Sequence, residues 1–278
     1  TVGPSPTPTN TATATPIPPT ATPTATPTNT PEPDSGQTIH LSSSSAGTVG
    51  GINFADEDIL AYNTSTNTWS LLIDLSDLGI AANNIDGFYA LTDGSFLMSL
   101  VRAQDVGSVT GVDDSDIVRF IPTSLGDTTA GSFELYFDGS AFGLESGGED
   151  VDAIGFAPDG RLLVSTLGNY NTGSVTGSSS DLLVLDGGSL ILYFDGSDVE
   201  LTDSTENIGG VWVDGNGDIY LATNGAFAVT GASGDGADIF VCTPGSLGET
   251  TTCTYTFFWD GSANGFSGEI IDSLAIVP

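Results

Sequence analysis

A four-strand pattern recurs through this 278-residue chain; its last copy stops one strand in, and its first copy starts one strand late. The clearest copy occupies residues 149–196: VDAIGFA, a Pro-Asp-Gly turn, RLLVST, a long polar loop, DLLVL, a Gly-Gly turn and SLILYF. Short apolar runs bounded by turn formers indicate antiparallel strands. Two markers set the period. An Asp closes the fourth strand at Asp74, Asp138, Asp195 and Asp260, at spacings of 64, 57 and 65 residues. Another Asp leads into the third strand at Asp58, Asp116, Asp181 and Asp238, at spacings of 58, 65 and 57. Two independent markers with one period make the repeat the unit of the fold.

The termini complement each other. Residues 271–278 read as a first strand that halts at its turn, and residues 33–41 supply a turn and a second strand. Joined, they rebuild one unit and leave no open edge, which is how a propeller closes. The predicted fold is therefore all-β: a four-bladed β-propeller of four-stranded antiparallel blades closed by N- and C-terminal strands, over residues 34–278. Its blades are 271–278 with 34–82, then 85–146, 150–204 and 207–268. A solenoid, the other repeat architecture considered, would need capped ends. Phe88, Ile154, Val211 and Leu274 are expected to pack between blades with Trp212 and Trp259, whereas Trp69 is the aromatic expected to be exposed.

Residues 1–33 differ in kind, holding ten of the 14 prolines among Thr and Ala. Such a composition builds no core and favours an extended polyproline-II-like arm. At about 3.1 Å per residue it reaches on the order of 100 Å, far enough to touch a neighbouring copy. Thr7, Thr9, Thr11, Thr13, Thr15, Thr20, Thr22, Thr24, Thr26, Thr28 and Thr30 are candidate O-glycosylation sites, and Asn63 heads the one N-x-S/T sequon.

Charge removes whole classes of partner. With 3 basic against 36 acidic residues, the net charge of -33 excludes nucleic acid and opposes anionic membrane. No apolar run approaches a membrane span, so direct membrane insertion is not expected. The chain starts at Thr1 without Met or a signal peptide and reads as a processed, secreted product. Cys242 and Cys253 align with Phe120 and Gly131 of the second repeat, two positions flanking one hairpin; this predicts a cross-strand disulfide and an oxidising, extracellular or cell-surface location.

The catalytic inventory is thin: one histidine, His40, no Lys, and no nucleophile elbow or zinc motif. His40 reads as a packed or surface residue. Paired carboxylates leave a hydrolase as the one enzymatic alternative. The loops before the first strand and between the second and third strands open on the same face, which makes that face acidic. Hard oxygen donors suit calcium, and Asp86, Asp152, Asp272, Asp150, Asp58 and Asp116 are its candidate ligands. Asp86, Asp152 and Asp272 occupy equivalent positions near the channel, and Gly209 breaks their ring. Turn capping by the same carboxylates is the competing reading. Residues 214–218 resemble the start of a calcium loop, yet align with ordinary strand-crossing turns. A Val-Thr-Gly pattern in the loops at 109–111, 175–177 and 229–231 marks a shared turn or contact surface.

The strand, Asp-Gly turn and strand at 211–222, VWVDGNGDIYLA, resembles the blades of secreted bacterial propellers of the NHL and gluconolactonase-like kind. That resemblance covers residues 34–278. Enzymes of that kind carry metal-binding Glu, Asn and Asp at the channel mouth, and Asp86, Asp152 and Asp272 match this in part. The expected function is a non-enzymatic extracellular structural protein, a subunit of a surface fibre or filament whose arm contacts further copies of the chain head to tail. The alternative is a calcium-dependent adhesion module binding glycan or protein on a glycosylated stalk.

Overall fold

The computed structural model describes residues 1–3 and 36–277. The predicted arm and its candidate threonines lie, but for the first three residues, outside the described residues. The blade that opens the chain holds β1 (Thr38–Ser43), β2 (Gly47–Val49), β3 (Ile52–Phe54), β4 (Ile59–Asn63) and β5 (Thr68–Ile73). Blade two holds β6 (Ile85–Ala90), β7 (Phe96–Leu100), β8 (Ile117–Ser124) and β9 (Ala130–Phe137). Blade three holds β10 (Val151–Phe156), β11 (Leu162–Thr166), β12 (Tyr170–Asn171), β13 (Thr176–Gly177), β14 (Leu182–Asp186) and β15 (Ser189–Phe194). Blade four holds β16 (Ile208–Val213), β17 (Ile219–Thr223), β18 (Phe227–Val229), β19 (Ala232–Gly234), β20 (Ile239–Ser246) and β21 (Thr252–Trp259).

The last strand, β22 (Ile271–Val277), returns to blade one, where the sheet order is β22-β1-β4-β5. Leu41 pairs with Leu274 and Ile39 with Ile276, so two buried apolar pairs close the ring. The other blades run β6-β7-β8-β9, β10-β11-β14-β15 and β16-β17-β20-β21, all antiparallel. This is the four-bladed propeller that the repeat predicts.

Apolar residues gather in the four seams between blades. One core joins Leu97 and Phe137 of blade two to Ile154 and Leu183 of blade three, and three others fill the remaining seams. Each face of a blade thus packs on its neighbour, which is why the strands read as dense apolar runs. Trp69 belongs to the seam between blades four and one. It is partly buried, stacks on Phe266 at 5.6 Å and donates from Nε1 to the Asn264 carbonyl at 2.9 Å, so the expectation of an exposed aromatic is corrected.

The repeated aspartates hold each blade together. Asp181 accepts from the Ser178 amide at 2.8 Å and the Gly196 amide at 3.0 Å, stapling the third strand's lead-in to the end of the fourth. Asp116 does the same with Asp113 and Gly139, and Asp238 with Asp235 and Gly261. A Cβ at Gly139, Gly196 or Gly261 would overlap the carbonyl of Ser115, Ser180 or Ala237, which explains why Gly follows the strand-closing Asp in three blades. The Val-Thr-Gly loops of blades three and four form the hairpins β12–β13 and β18–β19, held by Glu149 to the Asn171 amide and by Glu206 to the Ala228 amide. Residues 214–218 are a turn, with Asp214 accepting from the amides of Asn216 and Asp218.

Candidate functional site

The innermost strands β6, β10, β16 and β22 line the propeller axis. In each, the pairing slips at the same place: the inner strand carries one residue more than the second strand opposite it. Asp152 falls between the pairs Val151–Thr166 and Ala153–Ser165, and Asp272 between Ser273–Ser42 and Ile271–Ser43. Asp86 and Gly87 share the interval opposite Ser99. A bulge re-aims the extra residue's side chain. In three blades that residue is Asp, which sets Asp86, Asp152 and Asp272 together beneath one face.

Blade four departs from this. Gly209 sits in its bulge, and a Cβ there would overlap Oδ1 of Asn224. The Asn224 amide occupies the missing side chain's place and donates to Asp152 Oδ2 at 3.4 Å. Asn207 donates to the same oxygen at 2.8 Å, and Asn84 donates to Asp272 Oδ2. Three amides thus serve the carboxyls, two at Asp152 and one at Asp272.

The environment disfavours charge. Asp152, Asp86 and Asp272 are only 1%, 4% and 6% exposed. Burial, then the carboxyls of Asp152 and Asp272, pushes Asp86 up to about 9. Burial, with a smaller contribution from the charge of Asp56, outweighs the Asn84 hydrogen bond at Asp272 and raises it to about 7. Asp152 is raised well above the carboxylate range by burial and then by Asp272. Among the described residues, four acceptor atoms here are buried without a hydrogen-bond partner: Asp86 Oδ2, Asp150 Oδ1, Asn207 Oδ1 and Asn224 Oδ1.

The structure thus brings together Asp86, Asp152 and Asp272 with Asp150 beside them, and the charge of Asp150 raises both Asp86 and Asp152. It sets Asp58 and Asp116 apart. Asp58 leads into β4 and accepts from the Ala55 amide, and both oxygens of Asp116 hold backbone amides. Among the described residues, no group of three or more His, Cys, Asp or Glu side chains is placed to hold a metal ion. Any cation here would need the amide oxygens of Asn207 and Asn224 as well. Neither asparagine stands out in sequence, because each lies outside the acidic pattern; the single signal is Gly209 breaking that pattern.

His40 lies in β1 between Ala61 and Ala275, edge-on to Phe88 at 6.2 Å. Burial holds its imidazole down to about 4, so it packs as a neutral ring. Asn63 Oδ1 accepts from the amides of Ser65 and Thr66, closing the turn between β4 and β5. Cys242 and Cys253 form a disulfide across β20 and β21. Among the described residues, no helix is long and apolar enough to cross a membrane.

No family model matches the chain, and no curated protein matches it. It is similar to solved structures only in part. One is "YCF48 bound to D1 peptide", at 15% identity and a TM-score of 0.29, covering 75% of this chain and 60% of that one. Another is a protein of unknown function from Bacteroides caccae, at 10% identity and a TM-score of 0.30, covering 87% and 99%. The chain spans less than two thirds of the first structure's length. The propeller assignment rests on the strand order above, and these likenesses carry no functional argument.

Proposed function

We propose that the chain is a non-enzymatic extracellular structural protein, a subunit of a surface fibre or filament in which the Thr/Pro arm of one copy contacts the propeller of the next. The distribution of charge carries this reading. Of the 36 acidic residues, Glu32 alone lies within residues 1–33, so the propeller bears almost all of the net charge of -33. Two propellers repel each other, whereas an arm with a single acidic residue approaches either with little repulsion. A contact between an arm and a different surface is head-to-tail and propagates into a filament when its rotation does not close a ring. The buried channel carboxyls support the non-enzymatic part, since they lie out of reach of a sugar ring. The disulfide supports an oxidising location.

The test compares the full chain with residues 34–278 at equal concentration, by electron microscopy and sedimentation. Fibres are expected from the full chain and monomers from the truncated one. Equal assembly of both would overturn the reading.

A second reading, a calcium-dependent adhesion module for glycan or protein, is favoured by the partnerless acceptors of Asp86, Asp150, Asn207 and Asn224. Hard oxygens without donors are what a calcium ion satisfies. If a cation binds there, millimolar calcium at pH 8 raises the melting temperature, and Asp152→Asn removes most of the increase. A melting temperature indifferent to calcium and to chelator counts against this reading.

A further inference from the structure

Among the described residues, the outer strand of each blade, β5, β9, β15 and β21, has a strand partner on one side only. Three of these edges are interrupted. The Gly126 amide, in the β8–β9 turn, donates to the Leu72 carbonyl of β5 at 2.8 Å, and Gly248 does the same to Tyr193 of β15 at 2.8 Å. On β21, Gly231 of the β18–β19 hairpin lies so close that a Cβ would stand 2.6 Å from the Tyr255 carbonyl. Strand β9 has no such crossing among the described residues. It is eight residues long, and it carries Leu135 and Tyr136 at 47% and 43% exposure, with Ile121 of β8, at 39%, opposite Ser132 farther along the strand. A long, apolar, open edge invites another strand.

The arm has the sequence of a one-sided strand. From 5 to 15 every odd position is Ser or Thr, and from 4 to 18 every even position is Pro, Ala or Asn. The paired prolines at 18 and 19 shift the phase, after which Thr holds every even position from 20 to 30 and Pro, Ala or Asn every odd one from 21 to 33. Polyproline II repeats every three residues and gives no reason for a period of two. A β-strand does: successive residues present their N–H and C=O groups to opposite edges. Each segment therefore offers one edge with a row of Ser and Thr donors and another from which Pro removes about half of the donors, and Pro in a sheet belongs on the side that faces solvent.

We infer that residues 4–33 of a second copy add as an edge strand to β9, with the Thr row pairing and the Pro row facing outward. This rests on the fibre reading above and names its contact. Strand addition draws affinity from main-chain hydrogen bonds, as in other β-augmented complexes. The Pro row then ends the sheet, so each β9 takes one arm and no more. Eight residues of β9 need about 27 Å of partner at ~3.4 Å per residue, well within either half of the arm. The remainder spans outward from a domain whose radius of gyration is about 18 Å by size scaling.

The test uses full chains carrying proline at four arm positions. Ala12, Ala14, Ala21 and Ala25 changed to Pro lie on the side already blocked, and assembly is expected to match the native chain. Thr11, Thr13, Thr22 and Thr24 changed to Pro remove two pairing donors from each half of the arm, and association is expected to weaken on the order of thirtyfold. The same four threonines changed to Val keep their N–H groups and should assemble, which separates backbone pairing from loss of an attached glycan. In native assemblies, amide exchange should slow across 130–137 and remain fast at 68–71 and 189–192. If both proline sets assemble alike, or protection spares β9, strand addition is overturned while fibres persist. If β9 is protected in a monomer, the arm folds onto its own chain and the contact between copies is overturned. If the native chain forms no fibres at all, it is the fibre reading that fails.

Discussion

Raising the pH from about 4 toward 9 is expected to lower the melting temperature of the propeller, and Asp86→Asn is expected to flatten that decline. In an unfolded chain Asp86 titrates near 4, whereas in the fold burial and the neighbouring carboxyls hold it up to about 9. Its folded-state pKa is the higher one. The stability it contributes is therefore fully present below the unfolded value and lost as pH rises through the folded value. Asp272, held up to about 7, acts in the same direction over a narrower window. Each pH unit inside such a window costs about 1.4 kcal/mol for one group, and ~1 kcal/mol moves the melting point of a domain this size by about 2–4 °C. For Asp86 alone a fall of roughly ten degrees between pH 5 and 8 follows, and Asp272 adds to it.

General repulsion among 36 acidic residues lowers stability over the same range, so the difference between variants is the informative quantity. Asp86→Asn should match the native protein near pH 4 and exceed it by several degrees at pH 8, read by calorimetry or circular dichroism. Parallel profiles for the two proteins would show that Asp86 is not held protonated by its surroundings. Calcium bears on the same window: a cation that stabilises the charged ring raises only the native protein at high pH. The pH profile and the cation titration therefore test the ring from two sides.

The ring also shows where sequence is informative. The repeat was legible because strand alternation and turn residues are local signals, and four copies multiply them. Closure was legible because Ile271 and Asp272 repeat the pattern of Val151 and Asp152, and residues 34–41 supply a turn and second strand that complete that unit. The equivalence of Asp86, Asp152 and Asp272 could be read from alignment, but their inward aim depends on a bulge that no residue type announces. The role of Asn224 was invisible for a related reason. It acts across the blade, filling space left by Gly209, and such compensation exists only in three dimensions. Asp116 misled for the opposite reason. An acidic residue on an acidic face resembles a ligand until its oxygens are found on the amides of Asp113 and Gly139. Trp69 looked exposed because it follows a polar turn, yet its indole reaches into the next seam.

Replacing both Cys242 and Cys253 by Ala is expected to cost about 2–3 kcal/mol, or roughly 5–10 °C in melting temperature, without unfolding the propeller. The bond closes a loop with a sequence separation of 11, short enough to place the entropic gain at the lower end of the usual range. Its position explains why the fold survives. Cys242 pairs with Tyr255 and Cys253 with Pro244, so the bridge runs diagonally between neighbouring rungs of β20 and β21. In blade two the equivalent positions hold Phe120 and Gly131. There the Phe120 ring lies over the glycine, where a Cβ at 131 would overlap it, and stacks on Phe133 at 5.1 Å. One hairpin is pinned by a covalent bond and its counterpart by an aromatic ring covering a glycine, so the architecture does not depend on the disulfide. Reduction of the native protein should reproduce the loss seen in the double variant, with amide exchange rising across 239–259 and staying slow across 117–124. Exchange rising equally in blade two would mean that the bridge secures the whole ring rather than its own blade.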